Sequence, residues 1–166
     1  MHIDQTEKRY IYLSVGMVAV FAILLAISSV AYSINLVSPE GQVNPAHLTT
    51  PGATAYDGFA EPLENRVRML APNQYEAYII GYATKGWKWE PNEVRVPVGS
   101  TVTFYVTSGD VMHGFKVQNT NINVMVIPGQ ISKATVTFDT AGEYPFICHE
   151  YCGILHHNMF GKIIVE

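Results

Sequence analysis

The chain has 166 residues, enough for one ordinary domain and an appendage, and 48% of them are hydrophobic against 14% charged. That composition excludes a disordered chain, and a formal net charge of −4 with scattered lysines and arginines leaves no basic stripe for a nucleic acid to follow. The two cysteines, Cys148 and Cys152, exclude a disulfide-dense scaffold.

In chain order, residues 1–9 form a short polar start, read as a cytoplasmic N-terminus. No charged residue appears between Arg9 and Glu40. The stretch "YIYLSVGMVAVFAILLAISSVAYSINLV", residues 10–37, exceeds the roughly 20 apolar residues that cross a bilayer. It is also too long for the apolar heart of a cleaved leader, although "AISSVAYS" has small residues like those of a cleavage site. Tyr10, Tyr12 and Tyr32 fall near its ends, as interfacial aromatics do. Lys8 and Arg9 ahead of the span predict that the C-terminal part of the chain lies on the outer side of the membrane.

Residues 38–72 carry five prolines and little periodicity, and read as a linker, with "AEPLENRVRML" able to make a short helix. From residue 73 the pattern becomes β. "YEAYIIGYA" is aromatic and β-branched, and "STVTFYVTS" places Val102, Phe104 and Val106 on one face and Thr101, Thr103, Tyr105 and Thr107 on the other. "INVMVIPGQ", "KATVTFDTAGEYPFIC" and "FGKIIVE" repeat the theme between turns. About seven short strands over residues 73–166 predict an all-β Greek-key sandwich or barrel behind one N-terminal transmembrane helix.

The chemistry concentrates in "ICHEYCGILHHNMFG", residues 147–161. A disulfide between Cys148 and Cys152 leaves His156 and Met159 without a role. Zinc has little use for a thioether, and a catalytic cysteine needs one thiol beside a base. Thiolate, thioether and imidazole together suit copper. The spacing Cys-x3-Cys-x3-His-x2-Met offers one thiolate more than a mononuclear blue site needs, which allows a second metal ion. One further histidine must come from elsewhere, and His113 in "SGDVMHGFKV" is the candidate. His149 and His157 are expected to face away, and His2 and His47 lie outside the β region. Ile147, Ile154, Leu155 and Phe160 are expected to keep water from the centre.

"HGF" followed by "CHEYCGILHHNM" on a β-sandwich resembles the binuclear copper (CuA) domain of the cytochrome c oxidase subunit II family, a cupredoxin fold. The resemblance implies that Cys148 and Cys152 bridge two coppers, with His113 and Met159 completing one and His156 and the Glu150 carbonyl the other. It implies a role in an enzyme, as the subunit through which a terminal haem-copper oxidase of a prokaryotic plasma membrane receives electrons. Cytochrome c or another cupredoxin would be the donor, and a haem-containing subunit I the acceptor that reduces oxygen. The single span, where most relatives have two, together with "APNQYEAYII" and "NTNINVMVIPGQ", resembles the B-type oxidases, in which a separate small one-helix subunit fills the missing place. Glu150 keeps open a Mg²⁺ or Mn²⁺ contact at the border with subunit I. "GWKWEP" is similar to the family's aromatic cluster where electrons come in, and Trp87 and Trp89, two apart, are expected to share a face of a strand. The alternative is a membrane-tethered cupredoxin carrier with one copper.

Overall fold

The structure, a computed structural model, describes residues 4–31 and 39–166. They form two units, a helical one and a β one. The helix, α1 (Gln5–Ala31), begins before the predicted span; its 27 residues would extend about 40 Å, more than the ~30 Å hydrocarbon core. Its mean hydropathy reaches 2.5 and none of its residues is buried, as a span that meets lipid requires. Tyr10 and Tyr12 are exposed near its start. His2, Tyr32 and the end of the predicted span, residues 32–37, lie outside the described residues.

The β unit is built from two sheets. The first runs β1 (Pro39–Gln42), β9 (Gln130–Phe138), β6 (Ser100–Ser108), β3 (Gln74–Tyr82) and β2 (Val67–Ala71), with β4 (Lys88–Glu90) added to β3. The second runs β5 (Glu93–Val96), β11 (Phe160–Val165), β10 (Gly142–Cys148), β7 (His113–Val117) and β8 (Asn123–Val126). Pairing is antiparallel except for β3 with β6 and β5 with β11. These crossovers give the expected Greek-key cupredoxin sandwich. Residues 73–166 hold nine of these strands, with the short β4 and β7 making up the difference from the expected number.

Alternation sets which side chains fill the core. Val102, Phe104 and Val106 are buried between the sheets, against Phe115, Phe146 and Trp89. On the opposite face of β6, Thr101 and Thr103 pair by their hydroxyls with Thr137 and Thr135 of β9, at 2.9 and 3.1 Å. Two of the turns require glycine: Gly99 in "PVGS" has φ +82 and Gly129 in "PGQ" has φ +85.

Residues 39–72 are part of the domain, which corrects their reading as a linker. β1 and β2 form the two edges of the first sheet. Between them the chain crosses that sheet's outer face and buries Leu48 and Phe59 against Tyr78, Ile80, Tyr82 and Ile131, a second apolar cluster. Phe59 meets the Tyr78 ring edge-on at 5.2 Å, and Gly58 lies so close to that ring that a Cβ would come within 2.3 Å of it. Buried Arg66 fastens the strap by donating to the carbonyls of Glu61 (3.0 Å) and Glu90 (3.3 Å). The short helix expected in "AEPLENRVRML" is a single 3₁₀ turn, Leu63–Asn65, followed by β2. A strap that follows the contour of a sheet has neither a period of two nor one of 3.6, so its pattern hides its burial.

Candidate metal centre

The register of the second sheet gathers the sulfur and imidazole groups at one end. β10 ends at Cys148 and β11 begins at Phe160, so residues 149–159 form the connection between paired neighbours. β7 flanks β10 on its other side, with Phe115 opposite Cys148, which brings the head of β7 and therefore His113 to the same end. The connection is pinned where it leaves the sheet: Cys148 N–H donates to the Met159 carbonyl at 3.0 Å, and His149 N–H to the Gly114 carbonyl at 3.1 Å.

Within this end of the sandwich the two sulfurs, Cys148 Sγ and Cys152 Sγ, lie 3.5 Å apart as free thiols. His113 Nδ1 is 3.8 Å from Cys148 Sγ, and the Glu150 carbonyl oxygen accepts from that sulfur at 3.2 Å. His156 Nδ1 is 3.5 Å and Met159 Sδ 3.8 Å from Cys152 Sγ. His113, Cys148 and Cys152 alone bring three ligating atoms within 4.8 Å of one another. Thus every residue singled out as a ligand converges on the thiol pair. The donor set is soft and lies partly in the hydrophobic core, where Cys148, Cys152 and Met159 are buried. Such a set fits copper and disfavours hard cations.

Asp110, which the sequence reading passed over, organises His113. Its Oδ1 is 3.1 Å from His113 Nε2 and also accepts from Val111 N–H at 2.7 Å. Its Oδ2 accepts from the N–H groups of Ala83 and Thr84 and from the Thr84 hydroxyl, at 2.8, 2.7 and 2.8 Å. Burial by itself would raise the Asp110 carboxyl, but these donors outweigh it and hold the group below the ordinary value. The carboxylate therefore accepts, His113 carries its proton on Nε2, and the lone pair of Nδ1 faces the sulfurs. Burial also lowers the His113 pKa, which keeps the ring neutral and able to ligate. Burial first, and then the neighbouring Cys148 thiol, pushes Cys152 up to about 12. The metal-free Cys152 is thus a thiol, and a metal bound to it must displace its proton. The spacing Asp-x-x-His was the available signal for Asp110.

The remaining described histidines do not join this set. His149 lies over Gly114, where an added Cβ would come within 2.5 Å of its Nε2, and its Nδ1 faces the Glu150 carboxylate at 3.4 Å. His157 and His47 are exposed.

Two expectations are corrected here. Trp87 and Trp89 do not share a face, because Trp87 has φ 52 and lies outside β4, which breaks the alternation. Trp89 is in the core at 1% exposure, 5.7 Å from His113 between ring centroids, which removes it from any surface. Trp87 is half-buried on the ligand connection, its indole N–H donating to the Cys152 carbonyl at 3.1 Å. The apolar residues expected to exclude water mostly face outward: Ile154 is 79% and Phe160 64% exposed. The dry side of the centre is instead formed by Trp89, Phe115 and Phe146.

Comparison with known proteins agrees with this geometry. The family model described as cytochrome c oxidase subunit II, periplasmic domain, matches residues 87–166. A cytochrome c oxidase subunit 2 of Thermus thermophilus is 38% identical over 161 residues, covering 96% of this chain and 91% of the relative. A second Thermus thermophilus subunit 2 is 45% identical over 131 residues, covering 78% of this chain and 92% of that one. Among solved structures, a chain from a heme-copper terminal oxidase dimer superposes with a TM-score of 0.75 at 30% identity, over 98% of this chain and all of the other. Similar to these subunits along nearly its whole length, the chain belongs to the cytochrome c oxidase subunit II family.

Proposed function

We propose that this chain is the electron-receiving subunit of a haem-copper oxidase and holds a binuclear copper centre. The observation that carries this reading is the pair of unbonded sulfurs 3.5 Å apart, with two imidazoles, a thioether and a carbonyl ranged on either side. Cys148 and Cys152 would hold both coppers, His113 and Met159 completing one and His156 and the Glu150 carbonyl the other. When bound, the copper pair supplies one-electron exchange. The chain's part is to keep the ligands still through that exchange, and the neighbouring strands β7, β10 and β11 of one sheet do this from their ends. Trp89, Phe115 and Phe146 keep water from the inner side. Tyr151, exposed and 6.0 Å from the half-buried His156 between ring centroids, and the exposed Ile154 and Phe160 would give a donor such as cytochrome c or a cupredoxin apolar side chains to meet. Trp87, through its hydrogen bond to the Cys152 carbonyl, is the aromatic side chain suited to pass electrons inward.

In this reading residues 1–9 are cytoplasmic, α1 anchors the chain in a prokaryotic plasma membrane, and the β domain stands on the outer side. Subunit I takes the electrons to haem and reduces oxygen, and a small one-helix subunit accompanies the single span. The Glu150 carboxylate, 37% exposed, remains open to Mg²⁺ or Mn²⁺ if subunit I adds oxygen ligands. Copper counting and electron paramagnetic resonance on the full-length chain in detergent test the centre. Two coppers per chain with hyperfine structure from both are expected, and one copper with a localised spin would establish the single-copper carrier instead.

A further inference from the structure

The loop between β3 and β4, residues 83–87, touches both sides of the sulfur centre. At its first end the Ala83 and Thr84 N–H groups and the Thr84 hydroxyl hold Oδ2 of Asp110, whose Oδ1 holds His113. At its far end the Trp87 indole N–H holds the Cys152 carbonyl. The Trp87 ring also covers Gly153, where an added Cβ would come within 2.9 Å of it. The loop is closed on itself, because the N–H groups of Gly86 and Trp87 both donate to the Ala83 carbonyl, at 3.2 and 3.3 Å. Lys85 at its tip lies 3.6 Å over the Tyr82 ring. Thr84, Lys85 and Gly86 are exposed.

We propose that residues 83–87 act as a staple that fixes His113 relative to Cys152, with Asp110, Thr84 and Trp87 as positioning residues. This rests on the reading of His113 and Cys152 as copper ligands. The geometry has two physical effects. The charge that Asp110 presents to His113 depends on how many donors share its other oxygen. With fewer donors there, the carboxylate draws harder on the Nε2 proton, Nδ1 becomes a richer donor, and the oxidised metal is favoured. Separately, the Trp87 hydrogen bond restrains the peptide of Cys152. Since a five-residue closed turn carries both anchors, slack at one end is transmitted to the other. Independent hydrogen bonds would not behave this way.

The test uses the full-length chain in detergent with Thr84→Val, Trp87→Phe, their combination, and Asp110→Asn. Thr84→Val removes one donor to Asp110 and is expected to lower the reduction potential of the copper-loaded chain. Asp110→Asn removes the charge itself and is expected to raise it. The combined Thr84→Val and Trp87→Phe shift is expected to differ from the sum of the single shifts. Shifts of equal sign for Thr84→Val and Asp110→Asn, no shift, or strict additivity would overturn the proposal. The metal-free chain gives a second readout that does not depend on copper. Thr84→Val, which does not touch the ligand connection, is expected to speed modification of Cys152 by a thiol reagent and to alter the ¹⁵N shifts of the His113 ring. Unchanged rates and shifts there would also overturn the staple. A wild-type chain that binds fewer than two coppers would instead count against the proposed function, while the metal-free readout still decides the staple.

Discussion

Cys148 and Cys152 approach to 3.5 Å between sulfurs without forming a bond, and the four candidate ligand atoms that face them come from residues as far apart as His113 and Met159. The separation is set by the backbone, because β10 delivers one sulfur from the end of a strand and the turn after it delivers the other.

Cys148→Ser keeps the size of the side chain but removes a soft donor that both metal ions would share. The full-length variant is expected to lose the two-copper hyperfine pattern and to bind at most one copper. Retention of both coppers with their shared spin would reject the bridging role.

His113→Ala removes a buried imidazole held by Asp110, and no other histidine among the described residues is placed to replace it, since His149 lies over Gly114 and His157 is exposed. Loss or remodelling of the optical spectrum is expected, with external imidazole restoring part of it by entering the space left behind. A spectrum identical to that of the wild type would transfer the role to His149 or His157.

The strap predicts a stability effect remote from the sulfurs. Phe59 is fully buried against Tyr78, so Phe59→Ala is expected to destabilise the β domain by about 3–5 kcal/mol. Chemical denaturation of the full-length chain in detergent measures this. A change near zero would mean that residues 39–72 behave as the tether their composition suggests.

Alkaline pH gives a fourth check. Burial first, and then the hydrogen bond to Glu76 and its charge, push the Tyr78 phenol up from its ordinary 10.0 to about 12. The unfolded chain therefore releases this proton more readily, so Tyr78 contributes stability that is complete below pH 10.0 and is lost as pH rises through about 12. Between those limits Tyr78→Phe is expected to show a shallower fall in urea midpoint than the wild type. Tyr105, also raised by burial, and Cys152, pushed up to about 12, add to the slope in both chains. Parallel slopes for the two chains would exclude Tyr78 as its source.

The copper-type ligand set was legible because it is compact in sequence: Cys148, Cys152, His156 and Met159 all lie within residues 148–159, and few other sites use their chemistry together. The core face of β6 was legible for the same reason, with Val102, Phe104 and Val106 two apart. What escaped was whatever depended on long-range geometry. Trp87 departs from the strand period through its own positive φ, which no residue type in "GWKWEP" announces. Ile154 and Phe160 look like core residues in the text, but Ile154 lies exposed on the connection after β10 and Phe160 opens β11 from an exposed position. Leu48 and Phe59 are buried by a sheet face that needed a cover, and the strands of that face lie far along the chain.

Cys148, Cys152 and Met159 belong to the same apolar cluster as Trp89, Phe115 and Phe146. The groups that would ligate copper are therefore also part of what makes the sandwich cohere, and occupancy and folding are thermodynamically linked. A cell short of copper would then make chains that are both idle and softer, open to proteases that pass over loaded ones. Metal supply would then bear on how long a chain survives, read out through the melting of the domain.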